Sequence, residues 1–211
     1  MHRLLWPGMG MLLIAATVWP VAAQAKKVEF GIEAGLNFAT WTGDDVGGGA
    51  SRRTGFFGGG VVTLNLSPSF ALQSGVIYSQ EGTGVDAGGG ITGAVKVDYV
   101  RIPVYLRAGT KLQGTTPISP YLYAGPAVSF KVRCKIEASS GSQSAEADCD
   151  EPGIGAEIKS TDFGVHVGAG VGIGKFSVGA RYQLGLTSLD DTGADADIKN
   201  SVLAVSAGFT F

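Results

Sequence analysis

The chain lacks a basic excess, a long apolar run beyond its start, a second cysteine pair and a cluster of histidines. Lys and Arg number 16 against 18 Asp and Glu, for a formal net charge of −2. That balance leaves no electrostatic footprint for nucleic acid, which is excluded as a partner. Past the N-terminal stretch no run approaches ~18 apolar residues, so no transmembrane helix is expected there. Cys134 and Cys149 are the only cysteines, and no histidine lies near them to complete a zinc site. Beyond the start His166 is the sole histidine. Its context, "GVHVGAG", holds no nucleophile. A hydrolase would need Ser129, Ser177 or another serine brought to it by the fold.

Phosphate-binding signatures are missing as well. "DDVGGGAS" at 44–51 and "GVDAGGGITG" at 84–93 are rich in glycine, but no Lys-Ser/Thr follows and no helix begins there. "DDTGADAD" at 190–197 lacks the Glu that a calcium loop would place after it. The expectation is no catalytic set, no cofactor and no metal site.

What is present begins with "MHRLLWPGMGMLLIAATVWPVAAQA". A basic residue, an apolar stretch and the small-x-small Ala23-Gln24-Ala25 read as a secretory signal peptide over 1–25. A single anchoring helix is the rival reading, weakened by Pro7, Gly8, Gly10 and Pro20. The remaining 26–211 form one domain. Glycine, 34 of 211 residues, is about twice the usual ~7% and lies inside alternating apolar segments.

Those segments have a period of two, the signature of strands. Eight are predicted, at about 28–39, 54–66, 70–80, 94–108, 120–135, 161–173, 176–188 and 200–211. In the fourth, Val100, Ile102, Val104 and Leu106 oppose Tyr99, Arg101, Tyr105 and Arg107. In the fifth, Val128, Phe130 and Val132 oppose Ser129, Lys131 and Arg133. The second segment, with "GFFGGGVV", fits either phase. Links 67–69 and 174–175 are short and 109–119 is intermediate, whereas 40–53, 81–93, 136–160 and 189–198 are long and polar. Short turns at one end and long loops at the other are the asymmetry of bacterial outer-membrane barrels.

The predicted fold is therefore all-β, an eight-stranded antiparallel up-and-down transmembrane barrel in the cell outer membrane. Ile32, Leu36, Ile102, Val104, Val128, Val167, Val178, Val205 and Phe209 would face lipid. The final strand, "NSVLAVSAGFTF", would pair with the first, since an open edge in lipid leaves backbone groups unsatisfied. The other row carries Glu29, Glu33, Arg101, Arg107, Lys131 and Arg181. In a barrel this narrow such charges form a compensated polar plug or a binding or conduction site. The even cysteine count in an exported chain reads as a Cys134–Cys149 disulfide.

Several stretches resemble the PorT-type outer-membrane β-barrel proteins of Bacteroidetes and relatives. "GIEAGLNFA" at 31–39 is similar to their opening GxxxGLNxS strand, and "DYVRIPVYLRAG" at 98–109 to xYLEIPLLLKxG. "PYLYAGPAVSF" at 120–130 resembles PYxxxGPxxxF, "DFGVHVGAGV" at 162–171 resembles DxGxxxGxGv, and "ARYQLGLTSLDD" at 180–191 resembles xRYxxGLxxI. Arg101 stands where that family often has Glu. The resemblance implies an eight-stranded outer-membrane barrel and little about activity. The expected role is a monomeric, non-catalytic structural or surface-interaction protein, acting through its long loops on an extracellular or envelope protein. The competing readings are an enzyme using His166, a narrow transporter using the lumen cations, a secretion-assembly component, and a soluble exported barrel for an apolar ligand.

Overall fold

The computed structural model describes residues 27–211 apart from 113, 115, 141–142, 150, 152–157 and 192–195. The leader assigned to 1–25 lies outside the described residues, as do parts of the loops 136–160 and 189–198. Ten strands are described: β1 Val28–Thr42, β2 Ala50–Ser51, β3 Arg53–Asn65, β4 Phe70–Gly88, β5 Ile91–Gly109, β6 Ile118–Ser140, β7 Gln143–Asp148, β8 Thr161–Ile173, β9 Phe176–Gly185 and β10 Lys199–Thr210.

Eight of them close a ring. Each of β1, β3, β4, β5, β6, β8, β9 and β10 pairs antiparallel with the next, and β10 returns to β1 from Gly31↔Thr210 to Thr42↔Lys199. Closure leaves no ring strand with an open edge in lipid, which is what the missing hydrogen-bond partners of a hydrocarbon environment require. The row Ile32, Leu36, Ile102, Val104, Val167, Val178 and Val205 is exposed on the outer wall. Aromatics gather at its two borders. Phe30, Phe70, Phe176 and Phe211 stand at the end that carries the short turns. Phe209 meets Phe176 and Phe211 edge-on, with centroids 5.1 and 5.5 Å away. Phe56, Phe130, Phe163 and Tyr182 stand at the other border. This is the double girdle of a membrane barrel.

The ambiguous phase of β3 is settled by packing. Phe57 is buried and Phe56 is exposed. The Phe57 ring fits because it meets Gly35. A Cβ on Gly35 would lie 1.9 Å from the Val205 carbonyl oxygen and 2.7 Å from the Phe57 ring. Gly35→Ala should therefore cost about 1–3 kcal/mol, the usual penalty of overpacking, read as a lower urea midpoint for unfolding from lipid vesicles. An unchanged midpoint would show that the ring has room to move.

Two predicted boundaries were wrong. The segment 81–93 is not a loop: β4 and β5 run through it and turn at Gly89-Gly90, both with positive φ, as a two-residue hairpin needs. Likewise β6 continues to Ser140 and β7 folds back on it. β4 and β5 have 19 residues each and β6 has 23, while ~9–11 suffice to cross a bilayer. The surplus projects beyond the membrane as a sheet in the order β2-β4-β5-β6-β7. A bulge at Asp98/Tyr99 also shifts the phase of β6. Lys131 stays inside, but Arg133 turns outward, opposite its predicted row, and Cys134 turns in.

Candidate functional site: a filled lumen under a bridged cap

The interior is a stack of side-chain layers. In the outer half Glu81 is fully buried and Arg101 nearly so. Glu81 Oε1 accepts from Arg101 Nη1 at 2.5 Å and Ser79 Oγ at 2.7 Å. Its Oε2 accepts from Arg101 Nη2 at 3.0 Å, Gln183 Nε2 at 3.2 Å and Asn200 Nδ2. Arg101 Nε donates to Ser129 Oγ at 2.8 Å, and Asn37 Nδ2 to Ser79 Oγ at 2.9 Å. Arg53 donates to the Glu81 backbone carbonyl. Side chains from β4, β5, β9 and β10 thus meet at one carboxylate, and Asn37 of β1, Arg53 of β3 and Ser129 of β6 hold its partners and the Glu81 backbone. A charge pair taken out of water is tolerable only when its remaining lone pairs and protons are satisfied in this way.

Below the hub, Phe57, Ile77 and Ala204 form an apolar layer with Val61 against it. Next come Arg181, 3.3 Å from Glu33 and 4.4 Å over the Phe57 ring, and the Tyr105 hydroxyl, 2.5 Å from His166 Nδ1. At the mouth beside the short turns, Arg107 lies 3.9 Å over the Tyr121 ring and donates to Gln73 Oε1 at 2.8 Å. The space left there is about 40 Å³, room for one or two waters.

The predicted lumen residues are therefore not one cluster. Arg101 belongs to the outer hub, Glu33 and Arg181 to the middle layer and Arg107 to the mouth. Glu29 stands at the rim, 3.4 Å from Lys27. Lys131 reaches up to the Ile158 carbonyl at 2.8 Å. Glu81, the centre of the hub, escaped the sequence reading because its glycine-punctuated surroundings look like a loop. The alternation Ser79, Glu81, Thr83 continuing past Tyr78 was the available signal. His166 meets Tyr105, and the Ser129 hydroxyl is held by Arg101.

Above the hub sits a cap. Val97, Tyr99, Cys134, Cys149, Ile158 and Leu189 pack together, with Trp41, Val95 and Ile136 against them. Cys134 and Cys149 are joined in a disulfide. Its closed loop is worth about 3 kcal/mol in the chain-entropy model. Cys149→Ser should speed protease cleavage within 136–160 while leaving the gel mobility of the folded barrel unchanged, because the lipid-embedded ladders do not include the bridge. Loss of the folded band would show that the ring depends on it.

No curated protein matches this chain. Solved structures share its outline at low identity. Ail, the attachment invasion locus protein of Yersinia pestis, is 18% identical, with 87% of this chain and 98% of that one covered and a TM-score of 0.41. Neisserial surface protein A is 14% identical, with coverages of 88% and 100% and a TM-score of 0.42. OprG of Pseudomonas aeruginosa is 12% identical, with coverages of 88% and 97% and a TM-score of 0.39. The sequence pattern of the outer membrane protein beta-barrel domain matches residues 22–191, most of the chain. With the closed, girdled ring, that match makes this chain a member of the outer membrane protein beta-barrel domain family, resident in the outer membrane.

Proposed function

We propose that this protein is a small, monomeric, non-catalytic barrel of the PorT-type branch, exported by a signal peptide removed after Ala25. It docks an extracellular or envelope protein by strand addition at β7. The observation that carries this reading is the asymmetry of the projecting sheet. Its β4 edge is covered by β2 through Ala50↔Val85 and Ser51↔Gly84. Its β7 edge pairs only inward, with β6, among the described residues. Uncovered strand edges outside a membrane are ready templates for another strand.

The ladder tells which amides point outward. Cys149 N–H bonds the Cys134 carbonyl, so by the alternation of an antiparallel pair residues 147, 145 and 143 face β6. Asp148, Glu146 and Ser144 then direct their amides to the open edge. The outer face of the sheet is salt-bridged within itself: Lys96 lies 2.5 Å from Glu137, and Lys135 pairs with Glu146. The Lys135 hydrogen bond holds the Glu146 carboxyl below its ordinary range. Specificity then rests on the strand edge rather than on a free charge patch.

The test is a deletion strain scored for adhesion, secretion and envelope permeability. Ser144→Pro removes one outward amide without breaking the β6 ladder, since proline is tolerated on edges. The expected result is that wild type and His166→Ala restore the lost phenotype, whereas Ser144→Pro and removal of 141–148 do not. Rescue by both edge variants together with failure of His166→Ala would contradict the proposal and favour chemistry in the lumen.

A further inference from the structure

The projecting sheet has two unlike faces, and its register assigns each side chain to one of them. On the face that continues the lumen wall, Ala147 lies opposite Ile136, Ile136 opposite Val95 and Val95 opposite Thr83. The next row outward is Ala145, Ala138, Gly93 and Val85. Neither row holds an ionisable group. Val85 is 39% exposed, and Ile91, one row further out, is 47% exposed. Beyond the cap this face is therefore apolar and open.

The other face is charged. Asp148 lies opposite Lys135 and Lys135 opposite Lys96, while Glu146 lies opposite Glu137 and Asp86 opposite Thr92. Glu137 takes up Lys96 at 2.5 Å, and Glu146 takes up Lys135. That leaves Asp148, exposed at the open edge, with no ion partner among the described residues. The contrast runs along β7 itself. Ala145 and Ala147 point to the apolar face, and Ser144, Glu146 and Asp148 to the charged one.

We infer that the strand added at β7 belongs to a different protein and alternates apolar with basic residues. The inference rests on the strand addition proposed above and names its chemistry. The apolar residues of the guest extend the rows that end at Ala145 and Ala147. Its basic residues stand beside Asp148 and Glu146, where directly opposed side chains are close enough for opposite charges to attract and like charges to repel. The same rule disfavours a second copy of this chain. β7 carries two carboxylates and no cation, so pairing it with itself sets acid against acid.

The experiment is fluorescence anisotropy of labelled heptapeptides with the whole protein folded in phosphatidylcholine nanodiscs. The probes alternate Val with Lys, Val with Glu, or Ser with Lys. The expected result is that the Val/Lys peptide binds about ten-fold more tightly than either of the others. Asp148→Asn should narrow the gap between Val/Lys and Val/Glu by about three-fold. Ser144→Pro, which removes an outward amide, should weaken Val/Lys binding by about ten-fold or more. Heat-modifiable gel mobility of each variant controls for folding. Val/Lys no tighter than Val/Glu or Ser/Lys, or a charge preference untouched by Asp148→Asn, would overturn the apolar-basic guest while sensitivity to Ser144→Pro kept strand addition standing. Val/Lys binding indifferent to Ser144→Pro, or no binding by any peptide, would overturn both. A wild-type dimer that Ser144→Pro disperses would give the edge to a second copy and overturn the inference as well.

Discussion

Glu81→Ala should destabilise the barrel by about 3–5 kcal/mol, the cost of stranding a buried charge after its partner is removed. The stranded group is Arg101, 2% exposed and in contact with both carboxylate oxygens of Glu81. Ser79, Gln183 and Asn200 lose their acceptor in the same change. Urea unfolding from phospholipid vesicles, followed by the folded band on a gel, measures the loss. A second variant separates charge from packing. Glu81→Leu with Arg101→Leu removes both ions, and apolar replacement of a buried pair is close to neutral. Most of the lost stability should return in the pair. Equal losses in the single and double variants would mean that the hub acts through shape rather than through its charges.

Val104→Arg should cost about 2–4 kcal/mol, the penalty for a cation on the lipid face near the midplane. Val104 is exposed on the outer wall and lies between Ile102 and Leu106, both also exposed. In water a valine so exposed would tolerate arginine with little effect, since such surface changes stay within about ±0.5 kcal/mol. The size of the loss therefore reports the solvent around β5. The same urea titration measures it, with Tyr105→Phe as an inward control that removes only the hydroxyl facing His166. Val104 is midway between Ala108, which pairs with Phe70 of one girdle, and Val100, which pairs with Phe130 of the other, so a cost under about 1 kcal/mol for Val104→Arg would contradict a lipid-facing row.

The outward row was legible because lipid demands one thing of every second residue. Ile32, Leu36, Val104 and Val205 announce themselves by alternation alone. The ring closure followed from the same pattern at both chain ends. Phe57 was not legible, since either phenylalanine of "GFFGGG" satisfies a period of two and the choice depends on the space at Gly35, across the β1–β3 pair. Glu81 was hidden for a different reason. Gly82 takes a φ of +119° and three further glycines turn the hairpin, so local chemistry reads as loop while the β5 ladder holds it as strand. Its partners Gln183 and Asn200 lie more than a hundred residues away, a juxtaposition that only closure of the ring creates. The bulge at Asp98/Tyr99 explains Arg133: one extra residue flips the face of everything after it.

The disulfide was read from cysteine parity and an exported setting, and it sits on the cap rather than in the barrel wall. The layers beneath it follow from narrowness. Eight strands leave an interior that side chains just fill, and here charged, aromatic and apolar layers alternate down the axis. A filled interior is why the proposed docking is placed outside the barrel, at the projecting sheet.

The central claim is that β1 and β10 close an eight-stranded ring whose outward row lies in lipid. The most direct measurement compares unheated and boiled samples of the membrane-extracted protein on one gel. The account predicts recovery of the chain in the outer-membrane fraction and a distinct mobility for the unheated, still-closed barrel, converted to the unfolded position on boiling. Recovery in the soluble periplasm with a single mobility under both conditions would contradict it.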